Sequence, residues 1–141
     1  MGSENILITI ATYAGCVVLV LLVGFGILKR PDFAIVPRRR RFRQVGVAGL
    51  VVSEVAELLR HPPRSYDLYQ FDPDRGLVVW MEGPGLLTIG GFFPLYLDPS
   101  HQGVTVTCAV EPRVPLLDPM AGRRLRRVCR QVMSMTGGAM I

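Results

Sequence analysis

The residues that could carry covalent or proton chemistry in this chain are few and scattered. His61 precedes Pro62-Pro63 and His101 sits inside Asp98-Pro-Ser-His-Gln-Gly103, both turn-like contexts with no acid at a defensible spacing. Ser53, Ser65 and Ser100 lack the flanking glycines of a nucleophile elbow. Cys16, Cys108 and Cys129 show no paired spacing, so they form neither a disulfide framework nor a zinc or CxxC pattern, and each reads as a reduced thiol in apolar surroundings. The pattern predicts no enzyme, no metal site and no cofactor.

Arginine is the residue whose placement points to chemistry, and that chemistry is the binding of anions. Lys29, Arg30, Arg38, Arg39, Arg40, Arg41 and Arg43 stand against Asp32 alone, for a net +6 over residues 29–43. Residues 44–118 hold four arginines and nine acids, for −5, and Arg123, Arg124, Arg126, Arg127 and Arg130 then add +5 with no acid after Asp118. An acidic middle between two basic ends implies contact with an anionic surface or between the ends and the middle. The first cluster is assigned to anionic lipid headgroups, at about 1 kcal/mol per charge near the surface. The second is assigned to a protein partner or anionic lipid, with a merely solvated helix face as the alternative. Nucleic acid is the weaker alternative for the first cluster, because a juxtamembrane stop-transfer segment already accounts for it.

That segment is defined by what precedes it. Residues 6–28 run for 23 positions without a charge, and a helix needs about 20 to cross the hydrocarbon. The mean hydropathy of the chain, +0.36, reflects this stretch. A cleaved signal peptide would want a basic start and a small-residue cleavage site, whereas here only Glu4 precedes the apolar run. The arginine and lysine bias places residues 1–5 outside and the remainder in the cytoplasm. The chain thus divides into a short outer terminus (1–5), a transmembrane helix (6–28), a basic linker interrupted by Pro31 and Pro37 (29–44), a domain (45–136) and a tail (137–141).

Within the domain, residues 43–52 read as a strand, and Ser53 as the cap of a helix over 54–60 that His61-Pro62-Pro63 stops. Period-two segments at 66–71 and 77–82 flank Asp-Pro-Asp-Arg-Gly, a hairpin loop. A third strand over 86–97 is bent at Gly90-Gly91, and a fourth over 104–111 puts Val104, Val106, Cys108 and Val110 on its core face. Trp80, Phe92, Phe93 and Tyr96 are candidates for an aromatic wall facing a hydrophobic ligand, with ordinary core packing as the alternative. Asp118 and Pro119 read as cap and first residue of a last helix, which gathers Ala121, Leu125, Val128, Cys129, Val132 and Met133 on one side and points its arginines outward. The expected fold is α+β: one N-terminal transmembrane helix, then a curved antiparallel sheet covered by a C-terminal amphipathic helix.

Two stretches, Glu54-Val-Ala-Glu-Leu-Leu-Arg-His-Pro-Pro and Gly103-Val-Thr-Val-Thr-Cys-Ala-Val-Glu-Pro leading to the last helix, give residues 45–135 a pattern that resembles the START-like (SRPBCC, helix-grip) superfamily. The resemblance implies a lipid or other hydrophobic ligand held between sheet and terminal helix. A filled, ligand-free version of that fold is equally compatible. By elimination, the expected role is a membrane-anchored, non-catalytic interaction module, such as an accessory subunit or assembly factor of a larger membrane complex. The alternative is a START-like binder of a lipid at the membrane surface.

Overall fold

The computed structural model describes residues 2–28, 33, 41–85, 89–113 and 119–141. It is an α+β fold with an apolar N-terminal helix, an antiparallel sheet and a C-terminal helix. Helix α1, Gly2–Leu28, is about 40 Å long at the usual rise, and its stretch Glu4–Phe25 is long and apolar enough to cross a membrane.

The strands are β1 (Phe42–Ala48), β2 (Asp67–Asp72), β3 (Leu77–Glu82), β4 (Gly91–Ser100), β5 (Gly103–Ala109), β6 (Glu111–Pro112) and β7 (Ala139–Met140), in the order β2-β3-β4-β5-β1-β7 with β6 beside β4. Every pairing among these strands is antiparallel. From β2 to β5 the chain meanders, as hairpin-length turns dictate. The first strand then lies between β5 and β7, with Val45 opposite both Val106 and Met140. The tail is therefore part of the sheet, and the Ile141 N–H donates to the Gln44 carbonyl at 3.1 Å.

Pro94 sits inside β4 without costing a ladder bond on its second edge. That edge pairs with β6 at Gly91 and Phe92 and with β5 only from Leu95 onward, so Pro94 falls in the gap. The expected bend at Gly90-Gly91 lies at the start of this strand rather than within it. Gly90 has φ +83°, and a Cβ there would run into the Glu82 carbonyl, so the position requires glycine. The irregularity within the sheet is instead a register shift in β2 between Leu68 and Gln70. Of the segment expected as the third strand, 86–88 lie outside the described residues.

Helix α2, Val52–Leu59, begins one residue before the expected cap Ser53. Val51 holds the cap position, and the Glu54 carboxylate accepts its N–H at 3.0 Å, which satisfies an otherwise orphaned donor. Helix α3, Ala121–Thr136, starts two residues later than expected. Pro119 lies in the preceding turn, the Met120 carbonyl accepts from the N–H groups of Arg123 and Arg124, and Asp118 lies outside the described residues.

Both helices pack on one face of the sheet, where Val45, Val78, Trp80, Phe93, Leu95, Val106 and Cys108 meet Val55 and Leu59 of α2 and Leu125, Val128, Cys129 and Val132 of α3. The Trp80 indole N–H donates to the Leu59 carbonyl at 2.8 Å, pinning the end of α2 to the sheet. The opposite face carries a second cluster of Leu77, Val79, Phe92, Tyr96 and Ala109, joined by Phe33 from the linker.

Candidate interaction surface

Helix α3 supplies the candidate site, and its sequence explains its geometry. Apolar residues at three- and four-residue spacing bury one stripe, which leaves the intervening arginines on the outer arc. Arg123, Arg126, Arg127 and Arg130 are exposed, and among the described residues no carboxylate lies within ion-pair distance of them. Four like charges on about two turns repel one another, so the arc favours any anion placed over it.

Arg124 departs from the expectation that all five arginines point outward. It is buried, its Nε and Nη2 both lie 2.6 Å from Glu82 Oε2 of β3, and its guanidinium stands 5.3 Å over the Phe93 ring. Gly91 makes the room, since a Cβ there would lie 3.0 Å from Arg124 Nη2. Arg124 thus ties α3 to the sheet and is not available to a partner. Tyr66 lies beside this pair, stacked near Trp80 and Phe93 at 5.7 and 5.6 Å. Burial, and then the Glu82 carboxylate, hold its hydroxyl above its ordinary range, with Arg127 and Arg124 opposing.

Of the juxtamembrane cluster, Lys29, Arg30, Arg38, Arg39 and Arg40 lie outside the described residues. Arg41 is exposed and Arg43 half-buried. Arg43 is paired in register with Cys108, so its side chain belongs to the face that α3 covers, and its charge reaches Cys129. Cys108 and Cys129 are fully buried against each other, and the hydrogen bond between them, with burial, pushes the Cys108 thiol well above its usual range.

The four candidate wall aromatics are all buried but do not form one wall. Trp80 and Phe93 face the helices, whereas Phe92 and Tyr96 face the other way, because alternate residues of a strand point to opposite faces. His61 and His101 are exposed, and among the described residues no group of three or more potential metal ligands comes together. An open groove of about 620 Å³ runs past Gly49, Val52, Pro99 and Gln102 at one end of the sheet, away from the arginine arc. The burial of Phe33 and the pairing of Arg124 with Glu82 are not legible in the sequence. Phe33 stands in a proline-bounded linker and Arg124 in a run of arginines, and neither carries a local signal of its partner. Comparison of the chain with protein-family models, with curated proteins and with solved structures finds no match.

Proposed function

We propose that this chain is a single-span membrane protein with residues 1–5 outside and its α+β domain in the cytoplasm, and that the domain is a non-catalytic interaction module, an accessory subunit or assembly factor that binds an acidic protein of a larger membrane complex. The observation that carries the reading is the arc of Arg123, Arg126, Arg127 and Arg130, exposed and without carboxylate partners among the described residues. Anchoring is supported by α1, whose described apolar side chains are largely exposed, Phe25 being 74% exposed. The Thr9 and Thr12 hydroxyls donate to the carbonyls of Asn5 and Ile8 at 2.7 and 2.8 Å, so neither needs water. Orientation rests on the +6 of residues 29–43 against Glu4 on the other flank.

The START-like alternative draws support from the long terminal helix laid on an antiparallel sheet. A ligand there would have to displace Val106, Cys108, Val128 and Cys129, each fully buried, so the outer face of α3 is favoured as the contact. The test is the full chain carrying Arg→Gln at 123, 126, 127 and 130, purified in mild detergent. A stoichiometric partner of the parent protein should be lost, while the melting temperature stays within a few degrees because exposed sites contribute little to stability. Retention of every partner would overturn the proposal.

A further inference from the structure

Phe33 is the only described residue between Leu28, the end of α1, and Arg41, and it is 6% exposed. Its ring stands 5.6 Å from Phe92 and meets Tyr69 edge-on at 6.0 Å, while Tyr69 and Phe92 meet each other at 4.8 Å. The Arg113 guanidinium lies 4.8 Å over Phe92, adding a cation to the same aromatic group. All these rings belong to the face of the sheet opposite α2 and α3, which is helix-free among the described residues. A linker residue whose only task is to span a distance has no reason to be buried in this way.

The length of the chain turns this contact into an orientation. Five peptide links separate Phe33 from Leu28, which reach at most about 18 Å. The helix-free face is therefore held close to the point where α1 ends. The outer arc of α3 lies on the other side of the sheet, roughly 15 Å above it, because a helix with its side chains is about 10–12 Å across. Exposed charges act over a Debye length of about 8 Å in physiological salt.

We infer that Phe33 is a dock that clamps the helix-free face of the sheet to the membrane-proximal chain, so that the arginine arc of α3 is presented away from the headgroups to a carboxylate-bearing protein surface. This rests on the anchored reading above and sharpens it. The juxtamembrane cluster meets the lipid, and the C-terminal arginines meet the partner. Without the dock, both clusters would be drawn to the same anionic surface, and the partner would compete with the bilayer for the arc.

The test places a maleimide dye on each face of the full chain in nanodiscs of phosphatidylcholine and phosphatidylserine, with a nitroxide quencher on the lipid headgroup. Ser134→Cys marks the arc, since Ser134 is exposed about two helical turns beyond Arg127, and Gln44→Cys marks the helix-free face, where Gln44 is exposed beside Thr107. Both are made with Cys16→Ser, and the native thiols at 108 and 129 are shielded by burial. The dye at 44 should be quenched several-fold more than the dye at 134. Phe33→Ala should bring the two together as the freed domain turns its arc toward the lipid, and Phe33→Leu, which keeps an apolar side chain among the rings, should preserve the difference. Unchanged Trp80 emission shows that the sheet survives the substitution. Equal or stronger quenching at 134 in the parent chain overturns the inference in favour of lipid contact, and so does a folded Phe33→Ala that keeps the parent pattern. Release of the chain from membranes by alkaline wash removes the anchored reading itself.

Discussion

Replacing Glu82 with Gln keeps the shape of the Arg124 site and removes its negative charge. The two side chains are 7% and 15% exposed, and both Arg124 contacts to Oε2 are 2.6 Å long, so solvent screens the pair little. Leaving one charge of a buried pair uncompensated costs about 3–5 kcal/mol. The amide oxygen of Gln can still accept a hydrogen bond, and the Phe93 ring still faces the guanidinium at 5.3 Å, which together put the expected loss near the lower end, about 3 kcal/mol. For a domain of this size that is a fall in Tm of roughly 12–24 °C. The assay is urea denaturation of the full chain in micelles followed by tryptophan emission, since Trp80 is the single tryptophan and is fully buried. Glu82→Leu combined with Arg124→Met should recover most of the loss, because a well-packed apolar pair can replace a buried ionic one at little cost. A loss below about 1 kcal/mol, the range of exposed pairs, would show that the pair is solvated, and a double variant no better than the single would refute the reasoning about burial.

Tyr66 gives a pH signature. Its folded pKa lies above the ordinary 10.0, so the stability it contributes is complete below about pH 10 and is lost as pH rises through the folded value. Comparing denaturation at about pH 8.5 and about pH 11, the fall should be smaller in Tyr66→Phe than in the parent, and equal falls would remove burial as the cause. For topology, protease added to sealed right-side-out vesicles should leave residues 45–141 intact, and cleavage there without permeabilisation would reverse the orientation.

Periodicity carried much of this fold into view. The uncharged run at 6–28, the alternation of Val104, Val106, Cys108 and Val110, and the three-and-four spacing of Leu125, Val128, Cys129 and Val132 are local patterns, and each lies where those patterns put it. The second apolar face had a signal that alternation alone obscures. Leu77-Val78-Val79-Trp80 is a continuous apolar run, as expected of a strand covered on both sides, and all four are buried. Strand order was not legible, since β1 joins β5 across more than fifty residues, and loop-closure entropy leaves no trace in composition. Arg124 and Phe33 escaped for a related reason. Glu82 is 42 residues from the first, and Tyr69 and Phe92 are 36 and 59 residues from the second, so neither pairing has a local spacing to betray it.

The position of β1 also determines how the domain would respond to a pull. It is the first described strand after α1, yet it is an interior strand, paired with β5 from Phe42 to Ala48 and with β7 at Val45 and Gly46. Tension applied along the strand from its N-terminal side would be shared by all these pairs at once, in shear, whereas an edge strand pulled sideways would peel open one pair at a time. The Phe33 contact precedes β1 in the chain and would yield first. On the anchored reading proposed above, a load applied between α1 and α3 would therefore leave the strands of the sheet in register until that contact had gone.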